Sequence, residues 1–84
     1  MDVTRDEVAH ELQRLLTDRF NVPSEEITPQ AHFFDTLGLD SVDLLSAVAI
    51  LEERYDVSIP DDDLAEMLVV GRCVDRLMKY LEAA

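Results

Sequence analysis

The sequence predicts an all-α fold: a small four-helix bundle with three longer helices, one short third helix and a long loop between helices one and two. Apolar residues recur at helical spacing in three separate segments. No segment shows the two-residue alternation of a strand, and the 84 residues include only two glycines and three prolines. A chain of this length supports one compact unit, so residues 1–84 are expected to form a single domain. A domain so small buries only about 60% of the surface its unfolded chain exposes. Nearly every periodic apolar residue is therefore needed for the core, and little is left to wall off a catalytic cavity.

Helix one is expected from Thr4 to Phe20. Thr4 followed by Glu7 is a capping-box signal, and Val8, Leu12, Leu15, Leu16 and Phe20 make one stripe. Asn21-Val22-Pro23-Ser24 ends it, because the residue before a proline is pushed out of the helical region. From Ser24 to Asp40 there is no sustained period, yet Ile27, Phe33, Phe34, Leu37 and Leu39 are too apolar for a solvated linker, so this loop should pack onto the helices. Asp40 is a good N-cap, and Asp43 lies where a carboxylate meets a helix's positive end. The stripe Leu44, Leu45, Val48, Leu51, Tyr55 then gives helix two over Ser41 to Tyr55. Its opposite side carries Asp43, Ser46, Glu53 and nearby Asp56, with Val42 and Ala49 as apolar positions off the stripe, a mixture that suits a docking face. Val57-Ser58-Ile59-Pro60 is an extended break, after which Asp61-Asp62-Asp63 can cap one or two turns through Met67. Val70, Val74, Leu77 and Leu81 carry helix four to Glu82. Val69 is a poor N-cap and Gly71 sits beside it, which leaves that start open by a turn.

Nineteen acidic against seven basic residues give a formal charge of -12. That field repels a phosphate backbone and an anionic bilayer, so neither nucleic acid nor membrane is an expected partner, while proteins presenting Lys and Arg patches are attracted. Cys73 is the only cysteine, which excludes an internal disulfide, and its spacing with Val70, Val74 and Leu77 marks it as a small, partly buried apolar residue rather than a nucleophile. The charged start Met1-Asp2-Val3-Thr4-Arg5 does not read as a signal peptide, and a cytoplasmic location is expected. His10 and His32 lack partners at metal-ligand spacing and are assigned surface or interhelical roles; the three aspartates lack the pattern of a calcium loop. Phe33, Phe34 and Tyr80 are too scattered to stack bases and are assigned to packing. No metal ligands and no catalytic group are expected.

Ser41 is the residue with chemical promise. It opens a helix directly after a capping aspartate, where a phosphate would meet free backbone N–H groups and the helix dipole. Taken locally, Asp40-Ser41 reads more readily as an ordinary cap pair. The longer run Phe34-Asp35-Thr36-Leu37-Gly38-Leu39-Asp40-Ser41-Val42-Asp43, followed by an amphipathic helix, resembles the phosphopantetheine-attachment segment of acyl carrier proteins of the freestanding type. Val22-Pro23-Ser24-Glu25-Glu26-Ile27-Thr28 resembles that family's first loop, and residues 52–62 resemble the end of its second helix and the approach to its third.

The resemblance implies that a phosphopantetheinyl transferase, using coenzyme A and a magnesium ion, attaches 4'-phosphopantetheine covalently to Ser41. Asp40 would help present the hydroxyl, and Gly38 and Leu39 would shape the approach. The arm's thiol would hold acyl groups as thioesters, making the chain a non-catalytic monomeric carrier. Val42, Asp43, Ala49, Glu53 and Asp56 would form the docking face for acyltransferase and ketosynthase-type enzymes with basic patches. Ser46, Ala49 and Arg54 depart from the usual fatty-acid pattern and tilt the reading from fatty-acid toward polyketide or other specialised biosynthesis. Two alternatives stand: an acidic helical adaptor without a prosthetic group, and a peptidyl or aminoacyl carrier, although Asp before the serine fits an acyl carrier better.

Overall fold

The computed structural model describes residues 3–83, so the ends of the expected 1–84 domain, Met1, Asp2 and Ala84, lie outside the described residues. Three α-helices form the frame: α1 (Arg5–Phe20), α2 (Ser41–Tyr55) and α3 (Val70–Ala83). Two 3-10 segments, Ser24–Glu26 and Asp61–Glu66, interrupt the connections between them. The second is the expected short helix, in its tighter form; the first was not signalled by any periodicity.

Local chemistry fixes both ends of α1 and α2. Thr4 Oγ1 accepts the Glu7 N–H at 3.1 Å, which satisfies one orphan donor of α1. The return bond of the expected capping box is not made at Thr4, whereas Asp40 and Asp43 complete both arms of a box on α2. Each helix closes on a polar residue in the left-handed region, Asn21 at φ 59° and Asp56 at φ 55°. The next N–H then reaches back, Val22 to the Leu16 carbonyl at 3.2 Å and Val57 to that of Glu52 at 3.1 Å. The stop at Phe20 is thus made by Asn21 before the Pro23 constraint is reached.

Val8, Leu12, Leu15 and Leu16 of α1, Leu44, Ala47, Val48 and Leu51 of α2, and Val70, Cys73, Val74 and Leu77 of α3 converge on one core. Leu45, expected in the α2 stripe, is 48% exposed; Ala47 takes the buried place. The cause is helical phase: residues 44, 47, 48 and 51 follow one face, and Leu45 falls with Val42 and Ala49 on another. Arg54 pairs with Glu11, setting the C-terminal half of α2 against the N-terminal half of α1.

The first connection packs inward as its apolar residues require. Phe33 is completely buried, and Ile27, Phe34, Leu37 and Leu39 lie against the core. It also pairs with the start of α3: His32 bridges Val69, and Phe33 N–H donates to the Leu68 carbonyl at 2.8 Å. The Val70 and Gly71 N–H groups donate to Ala31 and Pro29 carbonyls at 2.9 and 2.8 Å. These loop carbonyls do the work of the missing N-cap, which is why α3 can start at Val70 after a valine. Gly71 is explained by space, since a Cβ there would lie 2.9 Å from the Pro29 carbonyl oxygen.

In the 3-10 segment Asp61–Glu66 the aspartates do not cap: Pro60 holds the cap position and no side chain bonds there. Asp63 instead accepts the Tyr80 hydroxyl, and Glu66 pairs with Arg76, both on α3.

Candidate functional site

The mouth of α2 is built from a turn over residues 32–39 that leads into the cap. Its reversal ends at Gly38, whose φ of 71° is in the region that favours glycine. Nothing lies within 4 Å of a Cβ there, so backbone conformation alone selects glycine. Leu39 follows, half-buried against the core, with its N–H donating to the Phe33 carbonyl at 2.9 Å. Asp40 Oδ1 accepts the Asp43 N–H at 2.8 Å, and Asp43 Oδ2 accepts the Asp40 N–H at 3.2 Å. Ser41 is the first residue of α2 and is exposed.

Because the box consumes the N–H groups of Asp40 and Asp43, those of Ser41 and Val42 remain at the helix mouth without a partner among the described residues. A phosphodiester on the serine oxygen fits this arrangement: it would be solvated, next to two unused donors and the positive end of α2. The two carboxylates oppose it, but both are turned into the cap, which limits the repulsion. The serine side chain has no buried contact that would have to break before it could react.

Of the expected docking residues, Val42 (66% exposed), Ala49, Glu53 and Asp56 share one exposed side of α2, with Asp56 just past its end. Leu45, which sequence reasoning assigned to the core, belongs to this side. Asp43 does not: it is half-buried and occupied by the cap. Phase relative to Val42 would have identified Leu45, since the two lie three positions apart.

His32 is the residue that periodicity could not reveal. It is half-buried in the turn, edge-on to the Phe34 ring at a centroid distance of 5.5 Å, and its Nδ1 accepts the N–H groups of Phe34 (3.1 Å) and Asp35 (3.3 Å). Cys73, by contrast, is buried in the core, and desolvation pushes its thiol up to about 12, which removes it from thiolate chemistry.

Fold and site together define a small acidic helical protein that presents one serine at a helix mouth beside an exposed apolar and acidic face. Residues 10–77 match the family described as the phosphopantetheine attachment site. The acyl carrier protein of Rubrobacter xylanophilus is 33% identical over 79 residues, covering 94% of this chain and 98% of that relative. A solved structure of the acyl carrier protein from Enterococcus faecalis superposes with a TM-score of 0.78 at 27% identity, covering 93% of this chain and 99% of the other. The chain belongs to the acyl carrier protein family, whose mark is covalently attached 4'-phosphopantetheine.

Proposed function

We propose that Ser41 is the attachment point and that the whole chain works as one carrier domain, passing acyl groups between enzymes that it does not itself resemble in chemistry. The observation that carries this reading is the exposed Ser41 at the first residue of α2, fixed by the Asp40–Asp43 box beside two unused N–H groups. In the attachment step a new bond forms between the serine oxygen and the phosphorus next to the pantetheine arm of coenzyme A. The diphosphate linkage breaks, adenosine 3',5'-bisphosphate leaves, and the serine proton passes to a base that the transferase provides. Asp40 keeps the serine at the helix mouth through its cap bond; Gly38 supplies the left-handed turn that delivers the chain to it. The bound arm supplies a thiol that carries acyl groups as thioesters.

Docking falls to Val42, Leu45 and Ala49 as an apolar centre, with Glu53 and Asp56 as the charged flank that orients an enzyme presenting basic side chains. The small Ala49 and the polar Ser46 make this centre slighter than the usual fatty-acid pattern, and Arg54 beside it is neutralised by Glu11. These departures support a polyketide or other specialised pathway over general fatty-acid synthesis. A cytoplasmic, monomeric carrier agrees with the acidic surface and with the absence, among the described residues, of any helix long and apolar enough to cross a membrane.

Intact mass after incubation with coenzyme A, magnesium and a broad-specificity phosphopantetheinyl transferase tests the reading. One added arm is expected, with none on Ser41→Ala. An unchanged mass for the natural sequence would leave the adaptor alternative in its place.

A further inference from the structure

We propose that His32 is a positioning residue for arm attachment: its Nδ1 is the acceptor that locks the turn presenting Ser41. This rests on the attachment reading above. The support is a complete account of the backbone donors leading to the helix mouth. Ala31 N–H donates to Thr28, Phe33 to Leu68, Gly38 to Phe34 and Leu39 to Phe33, all at carbonyls, and Asp40 donates to the Asp43 carboxylate. The remaining five bonds all involve His32. Its own N–H donates to Thr36 Oγ1 at 3.0 Å, its carbonyl accepts the Thr36 and Leu37 N–H groups, both at 3.0 Å, and its Nδ1 accepts those of Phe34 and Asp35.

Of these five, only the Nδ1 pair depends on which side chain stands at position 32. Without it, the Phe34 and Asp35 N–H groups lose their partners at the point where the chain turns away from the α3 bridge toward Gly38. The Phe34 donor is partly buried and is the costlier of the two to leave unmade. An Nδ1 that accepts belongs to an imidazole protonated at Nε2, so the ring acts here as a fixed acceptor on a short stem. The turn it closes ends two residues before the capping aspartate, and looseness there becomes a spread in where the serine oxygen is offered to the transferase.

This makes a geometric prediction about replacements. Asparagine sets an acceptor oxygen at the position of Nδ1; glutamine sets one a bond further out; alanine sets none. The transfer rate from coenzyme A and the hydrogen exchange of the Phe34 and Asp35 amides are measured for the natural chain, His32→Asn, His32→Gln and His32→Ala, each well below its own melting temperature. His32→Asn is expected to keep both near the natural values, whereas His32→Gln and His32→Ala exchange those two amides faster and accept the arm about tenfold more slowly. The asparagine and glutamine variants share an amide group and differ in reach, so a merely structural demand for polarity would move them together. Equal rates for all four proteins, or equal losses for asparagine and glutamine, overturn the proposal. If the natural chain accepts no arm at all, the attachment reading fails by itself, and the exchange of the two amides still decides the role of His32 in the turn.

Discussion

The first long connection and the 3-10 segment Asp61–Glu66 within the second are held in different ways. Residues 21–40 are tied by backbone: Ala31, Phe33, Val70 and Gly71 exchange main-chain hydrogen bonds across the bridge to α3, and Phe33 is sunk completely in the core. The 3-10 segment Asp61–Glu66 buries no residue and is tied to α3 by side chains, through Tyr80 with Asp63 and Arg76 with Glu66. Backbone ties survive most substitutions and fix position closely; of the side-chain ties, the Arg76–Glu66 pair reaches solvent through Glu66 and is weak, while the Tyr80–Asp63 bond is partly buried. The connection that leads into Ser41 is built the first way. The 3-10 segment is built the second way, between the buried Ile59 before it and the buried Met67 after it.

Substitutions should separate the two regimes. The largest effect is expected for Phe33→Ala, which empties the buried centre of the first connection and should lower unfolding free energy by about 3–5 kcal/mol in urea titration. A loss below 1 kcal/mol would mean that the connection is anchored by its hydrogen bonds alone. Gly71→Ala comes next. The helix itself gains about 1 kcal/mol from such a change, but the new methyl meets the Pro29 carbonyl at 2.9 Å, so a net loss of about 1–2 kcal/mol is expected. Stabilisation instead would show that the bridge to α3 yields easily.

Gly38→Ala should cost about 1 kcal/mol for backbone strain alone. Because nothing crowds that position, the D-alanine form made by chemical ligation should restore stability, a rescue that Gly71 would not show. The smallest effects belong to the side-chain ties of the segment Asp61–Glu66. Arg76→Ala should change stability by no more than about 0.5 kcal/mol, and less in high salt. Tyr80→Phe reports through pH. The hydrogen bond to Asp63, aided by burial, raises the Tyr80 hydroxyl above its ordinary 10.0. Its folded-state contribution is therefore present below pH 10 and lost as pH rises through the raised value. The stability gap between natural chain and variant should be open at neutral pH and close in strong alkali; a gap that persists there would assign the tie to packing.

Much of the bundle was legible because helix periodicity and capping are local. Val8, Leu12 and Leu16, or Val70, Val74 and Leu77, announce their faces within two turns, and Asp40 announces the cap of α2. Ser41 stood out as the proposed attachment point only as part of a ten-residue run, since an Asp-Ser pair opens many helices. Leu45 was misread because two apolar stripes share α2 and a short window does not say which one faces inward. His32 stayed hidden because its partners are backbone groups, which every residue carries. The reason for glycine at position 71 was equally invisible, being set by a carbonyl more than forty residues away in the chain.

Cys73 has a practical corollary. With its sulfur enclosed and held as the neutral thiol, a colorimetric assay for accessible sulfhydryls on the native protein is blank before loading and registers the prosthetic arm alone afterwards. The same silence makes maleimide dyes or crosslinkers report on the tether without mutating the core.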